Sequence, residues 1–506
     1  MSKILFISDN MLDEGLGIMS LSSYLKTSGH GVDFTLLTDF NKIDDLFRYI
    51  DKSDPDLIGF SLMTPQVDAF RPITNLIKRN SSRKIIWGGP HCMFMAEDVA
   101  KKEAVDFICV GEGEEALLQL MDRLDDGGDY SGISNLWSKK GNTWITNPIG
   151  PLEEDLDKYP PPDRDLYYSK YPLLRDFAVK RFITQRGCPY DCAYCFEPSY
   201  KIMYKGKGKL MRRNSPARAV QEIRDVIAKY PTRLVHFSDD VFNLNKEWNR
   251  EFLRLYKENI DLPWTCNVVV QGMDDELTRQ YKEAGCRGVT FGLETGVEQT
   301  RMKLLRKLTP NRIYSEVVKS FRKHDILYMS NVMFMLPDET LDHALESMKF
   351  QIELQPFGSR PSMLKLYKGT ELARYAVLND LCEGVGEFTY KAKDEKQEHP
   401  VIENLEWAGQ LFIKFPFLFK YAKKIMASRL LKFFNEPLTL YYTYWHNVVF
   451  FKIPPIQALR YFLASREAFT KGMGKQQVDN FKPIDSKEGQ LPVTFQPSAE
   501  NIKAAV

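Results

Sequence analysis

Residues 179–198 read VKRFITQRGCPYDCAYCFEP. The run from Val179 to Thr184 predicts a strand, and the Gly- and Pro-containing stretch behind it predicts a loop. That loop carries Cys188, Cys192 and Cys195 in the spacing C-x3-C-x2-C. A short loop can fold three such thiolates around one iron–sulfur cluster. Structural zinc is the main rival, but it takes four ligands, and no fourth Cys or His stands at short spacing. Three cysteines leave one iron of a [4Fe–4S] cluster open to another ligand.

Downstream of this loop, strand-like runs alternate with amphipathic stretches: SPARAVQEIRDVIAKY, RLVHFSDD, KEWNREFLRLYKEN, WTCNVVV, DDELTRQYKEAG, RGVTFGLETG, PNRIYSEVVKSFRKHD, ILYMSNVMFML, LDHALESMKFQIEL and SRPSMLKLY. About six strands of this kind fit a partial β/α barrel over residues 179–370. Upstream, residues 1–130 show five further βα units, from KILFIS to EEALLQLMDRL, which imply a doubly wound parallel sheet with helices on both faces. Such a sheet binds ligands outside the carboxyl ends of its strands. Residues 131–178 read as a connector, with a hairpin near Lys140–Thr143 and three consecutive prolines from Pro160. Residues 371–506 are expected to be a helical C-terminal region, interrupted at Pro416 and Pro437.

At 506 residues the chain suits two large domains and an extra segment. Its 69 Lys and Arg nearly balance 67 Asp and Glu, so no global field draws it to a polyanion, and nucleic acid is not an expected partner. The opening MSKILFISD lacks the long apolar core of a signal peptide, which places the protein in the cytoplasm. Eight cysteines in such a chain are expected to be thiols and metal ligands rather than disulfides. The longest charge-free run in the third region, Pro437 to Phe451, is too short to span a bilayer. The stretch WAGQLFIKFPFLFKYAKKIMASRLLKFF (407–434) mixes Lys with aromatics. It suits a helical cap over the barrel mouth, and it is also compatible with lying on an anionic membrane surface.

The cysteine motif, its place after the first strand of a βα series, and Tyr194 before the third cysteine resemble the radical S-adenosylmethionine (SAM) superfamily. The resemblance implies that the open iron chelates SAM, whose reductive cleavage gives a 5′-deoxyadenosyl radical. It also points to Tyr194 and to strand ends for SAM contacts. Asp239 and Asp240 stand in FSDDVF (237–242), Glu294 in FGLETG (291–296) and Leu336 in FMLPDET (334–340). The carboxylates can accept hydrogen bonds from ribose hydroxyls or the methionine ammonium, and Leu336 can pack on adenine. Helix capping is the plainer use for Asp239 or Asp240, and ordinary core packing for Leu336.

A five-stranded doubly wound domain ahead of such a barrel resembles the cobalamin-binding branch that includes the class B methyltransferases. The segments carrying this are GFSLMTPQ (59–66), WGGPH (87–91) and VGEGE (110–114), and they nominate Leu62, Met63, Thr64, Pro65, Gly88, Gly89, Pro90, His91, Gly111 and Glu112 as cobalamin neighbours. Glycines there would let a bulky ring or its nucleotide tail come close to the backbone. Cobalamin domains that supply a histidine to cobalt carry D-x-H-x-x-G, whereas this chain reads SDNMLDEG at 8–15, with Asn10 after Asp9. The resemblance therefore implies a cobalamin with no histidine beneath it, resting on Leu62 to Pro65. His91 is expected to meet the nucleotide tail or to bond locally. A dinucleotide site is a poor fit, because Ser20 stands where the fingerprint GLGIMS needs its third glycine.

Together these readings imply a cobalamin-dependent radical SAM methyltransferase acting on an unactivated carbon of a natural-product, lipid or tetrapyrrole-like substrate. An electron donor such as flavodoxin or ferredoxin would serve it. The alternatives are a non-methylating cobalamin enzyme such as an oxidative cyclase, and a non-catalytic iron–sulfur regulatory protein.

Overall fold

The computed structural model describes residues 1–9, 14–384, 387, 389–428, 431–471 and 494–497. It divides into two compact units. The first holds Met1–Arg175, Met203–Lys209 and the described residues from Arg460 on, and the second holds Asp176–Ile202 and Leu210–Leu459.

In the first unit, strands β1 (Lys3–Ser8), β2 (Gly31–Leu36), β3 (Leu57–Ser61), β4 (Lys84–Gly88) and β5 (Phe107–Cys109) are parallel in the order 2-1-3-4-5. Their centres are near-continuous apolar runs, such as Ile4–Ile7 in β1, because helices cover both faces. This order reverses between β1 and β3, which is where a doubly wound sheet opens a ligand crevice. The expected hairpin is present as β6 (Leu136–Lys140) and β7 (Thr143–Thr146), turning at Gly141 with φ +61°. It extends the sheet, since β6 pairs antiparallel with β5, and Thr494–Pro497 pairs with β7.

In the second unit, β8 (Val179–Phe182) precedes a short antiparallel pair, β9 (Gln185–Arg186) and β10 (Arg212–Arg213). Strands β11 (Leu234–Phe237), β12 (Trp264–Asn267), β13 (Cys286–Glu294), β14 (Leu327–Phe334) and β15 (Gly358–Met363) follow β8 in one six-stranded parallel sheet. This is the partial barrel the sequence implies. Its helices start on side-chain caps: Ser215, Asn245, Asp274 and Thr340 each accept a hydrogen bond from the amide three residues on. An aromatic core of Phe237, Phe242, Phe252 and Trp264 fills the space between sheet and helices. The buried Trp264 indole donates to the Ala284 carbonyl, so no polar atom of it is stranded.

The third region contributes three short strands and a set of helices. Phe412, Ile413, Ala422 and Met426 bury themselves with Val332, Phe334 and Met348 of the barrel. Pro437 was expected to interrupt the helix there, yet it lies within Leu431–Thr443.

Candidate functional site

The chain leaves β8 and is gripped at once. Asp239, at the end of β11, accepts from the Thr184 and Gln185 amides at 2.6 and 2.9 Å and from the Thr184 hydroxyl at 2.7 Å. Both its oxygens are thereby occupied, and Arg213 stands 3.9 Å away. Gly187 follows with φ +86°, and a Cβ there would come within 2.3 Å of the Leu210 carbonyl. Only glycine closes the loop that tightly.

The three cysteines are free and half-buried. The Cys195 amide donates to the Cys192 carbonyl at 3.0 Å, and the Ala193 amide donates to Leu305 at 3.0 Å. Glu197 Oε2 accepts from the Cys188 amide at 3.0 Å. Lys201 donates to the Pro189 and Tyr190 carbonyls at 3.1 and 2.8 Å, bracing the front of the loop. Burial pushes the Cys188 thiol up to about 12 and the Cys195 thiol up to about 11, and raises Cys192 as well. A thiol raised in this way stays protonated at neutral pH until a bound metal draws it to thiolate. Among the described residues no three His, Cys, Asp or Glu side chains converge as ligands of a single ion. Cluster ligands need not converge, because each thiolate takes its own iron. The donor set thus suits a cluster with one open iron.

Tyr194 points from this loop to β13. Its hydroxyl donates to Glu294 Oε1 at 2.9 Å, and Lys307 Nζ lies 2.8 Å from the same oxygen and 2.7 Å from the Gly292 carbonyl. Glu294 adopts φ +69° and folds back over Gly292, where a Cβ would fall 1.8 Å from the carboxylate. Attraction to Glu294 holds the Lys307 ammonium above its ordinary value despite burial. Asp240 has no hydrogen-bond partner among the described residues, and its surroundings raise its carboxyl. Its charge is felt by Cys188, Cys195 and Glu197, which places it beside the cluster loop.

Leu336 is buried among Ala193, Leu305, Leu366, Leu372 and Ala376, so it packs under the cluster loop. The turn holding it is tied by Glu339, whose carboxylate accepts from the Met335 and Leu336 amides while Met335 takes φ +61°. Glu197, Lys307 and Glu339 are absent from the sequence reading. Glu197 and Glu339 stood inside quoted segments, the cysteine stretch and FMLPDET, whereas nothing local flagged Lys307.

In the first unit, Met63 caps a 3₁₀ turn, Thr64–Gln66, at the carboxyl end of β3, and Gln66 accepts from the Met63 amide at 2.8 Å and donates to Asp9 at 2.9 Å. Met63 is 51% exposed and Pro65 is exposed, whereas Leu62 is buried. An apolar exposed tip at the switch point suits the face of a large ring. His91 is buried, with its Nδ1 3.1 Å from the Thr64 hydroxyl, so it bonds locally as one of its two expected uses. A Cβ on Gly89 would meet the Leu62 amide at 2.6 Å, and one on Gly111 would meet the Tyr204 hydroxyl at 2.5 Å. That hydroxyl accepts from the Glu112 amide at 2.9 Å. Gly88 and Pro90 lie in the same turn, beside Gly89, and Asn10 lies outside the described residues.

Two family models match: "Radical SAM superfamily" over residues 182–350 and "B12 binding domain" over residues 12–121. An uncharacterized methyltransferase of Pyrococcus horikoshii is 27% identical over 369 residues, which are 72% of this chain and 79% of that protein. The anaerobic magnesium-protoporphyrin IX monomethyl ester cyclase of Rubrivivax gelatinosus is 24% identical, covering 70% of this chain and 66% of the cyclase. Among solved structures, the radical SAM methyltransferase TsrM of Kitasatospora setae with cobalamin and [4Fe–4S] cluster bound shares the fold, with a TM-score of 0.65 at 16% identity, over 85% of this chain and 100% of that one. The radical SAM match falls on the six-stranded partial barrel and on the three free thiols after its first strand, and supports an enzyme. The two matched models stand in the order B12 binding, then radical SAM, and the cofactors that they imply are a [4Fe–4S] cluster, SAM and cobalamin.

Proposed function

We propose that the protein is a cobalamin-dependent radical SAM methyltransferase that places a methyl group on an unactivated carbon of a natural-product, lipid or tetrapyrrole-like small molecule. The observation carrying this reading is that one chain holds both a half-buried thiol triad after β8 and an exposed apolar turn without histidine at the β1/β3 switch point. When bound, the cluster supplies an electron to the sulfonium of SAM, and cobalamin supplies a methyl carrier. The chain's own residues do the positioning. Cys188, Cys192 and Cys195 hold the cluster. Asp240 accepts from the methionine ammonium, while Glu294, oriented by Tyr194 and Lys307, faces the SAM hydroxyls or ammonium. Asp239 serves by fixing the start of the cluster loop. Met63, Thr64 and Pro65 support the corrin face, and His91 leaves cobalt alone.

The test is product mass after anaerobic turnover with candidate substrates, SAM and a reductant. Methyl transfer adds one CH₂ unit and releases 5′-deoxyadenosine. Similarity to the Rubrivivax gelatinosus cyclase favours a second reading, a non-methylating oxidation, for which 5′-deoxyadenosine forms without added carbon. A regulatory iron–sulfur protein would form none. We place the enzyme in the cytoplasm, served by a flavodoxin- or ferredoxin-like electron donor and in peripheral contact with a membrane. No helix among the described residues is long and apolar enough to cross one.

A further inference from the structure

Between Trp407 and Asn435 the chain has no Asp or Glu but has Lys414, Lys420, Lys423, Lys424, Arg429 and Lys432. Half of this stretch is core: Phe412, Ala422 and Met426 are buried, with Leu418, Phe419 and Ile425 packed against them. The opposite side should then be polar, as on most surface helices. Instead Phe417 is 66% exposed, Phe415 and Tyr421 are exposed, and on the following helix Phe433 is 79% and Phe434 57% exposed. Lys420 and Lys424 are exposed among these rings, Lys420 lying 4.8 Å from the Tyr421 ring centre. Lys423 pairs on the surface with Asp342 at 2.8 Å.

Two ordinary uses do not explain the pattern. A solvated face would not carry four phenylalanines, since each exposed ring forgoes its burial. Packing on the barrel is already done by the inward residues. Rings that sit at a headgroup boundary, with lysines reaching past them to phosphate, satisfy both halves of the composition. The charge argues for an anionic surface, because the stretch is uniformly cationic.

We infer that the outward face of Phe415–Lys424, together with Phe433 and Phe434, docks the enzyme on an anionic lipid bilayer. This rests on the peripheral-contact reading above and is independent of methyl transfer.

The experiment is anaerobic cosedimentation of the cluster-loaded full chain with vesicles of phosphatidylcholine alone or with about one third phosphatidylglycerol, at low and high salt. We expect binding to the anionic vesicles only, weakened by salt. The Lys420→Glu, Lys424→Glu variant should lower partitioning by about fivefold or more per reversed charge. The Phe417→Ser, Phe433→Ser variant should lower it by about tenfold or more. Both variants should still cleave SAM at the wild-type rate in vesicle-free solution. Absence of vesicle binding, or equal binding by the variants, overturns the inference. So does a dimer seen by light scattering that dissolves on Phe417→Ser, Phe433→Ser while vesicles go unbound, because the face would then meet a second copy of the chain. Failure of methyl transfer would appear separately, as an unmethylated product whatever the vesicle result.

Discussion

The Tyr194 hydroxyl donates to Glu294 Oε1 across 2.9 Å, joining the cluster loop to the end of β13. The cysteine loop and the carboxylate proposed to meet SAM are thus tied by one bond. Tyr194→Phe should load a full cluster yet form 5′-deoxyadenosine about tenfold more slowly, since a hydrogen bond to a charged group contributes about 1.5–3 kcal/mol. Iron content and product chromatography measure the two effects. Loss of the cluster in this variant would assign Tyr194 to cluster binding instead.

Lys307 and Glu294 form an ion pair of which little is exposed, at 13% and 11% of their side chains. Lys307→Met leaves a carboxylate buried with only Tyr194 as donor, and should cost about 3–5 kcal/mol in denaturant unfolding. Adding Glu294→Gln should restore much of that, because the stranded charge goes with it.

Asp239 holds Thr184 and Gln185, between β8 and the cysteine loop. Asp239→Asn keeps an acceptor but loses one of the bonds and the attraction to Arg213. We expect a folded protein by circular dichroism with iron loading cut by half or more. Unchanged loading together with a raised KM for SAM would instead make Asp239 a direct SAM contact.

Burial pushes the Glu339 carboxyl up to about 8 from an ordinary 4.5. Between those values the folded chain keeps a proton that the unfolded chain has released. The contribution is therefore full below about 4.5 and declines as pH rises toward 8. The Tm of the wild type should fall over that window more steeply than that of Glu339→Gln, which keeps an acceptor for the Met335 and Leu336 amides without ionising.

Periodicity made the five parallel strands of the first unit and the six of the barrel legible, because buried parallel strands are near-continuous apolar runs between amphipathic helices. The hairpin at Gly141 was legible from its turn. Its pairing of Phe107 with Ser138 was not, since register across thirty residues leaves no local mark. Cys188, Cys192 and Cys195 were nominated from spacing alone, and the structure sets them half-buried on one loop after β8. Gly89 and Gly111 were read as places where a ligand comes close, and the structure shows Leu62 and Tyr204 also close to them. A glycine in sequence announces a close approach without naming what approaches. Lys307 escaped because its partner, thirteen residues back, meets it only through the turn after β13.

The sequence implies a cobalamin held without a histidine, and Met63 and Pro65 expose an apolar turn at the β1/β3 switch point where it would rest. Anaerobic protein with a reconstituted cluster, incubated with hydroxocobalamin, gel-filtered and reduced, should be read by electron paramagnetic resonance beside His91→Ala. We expect about one cobalamin per chain and a Co(II) signal without nitrogen splitting, identical in both proteins. A nitrogen-split signal lost in His91→Ala would contradict the site, and a loaded cluster with no cobalamin retained would contradict methyl transfer by this route.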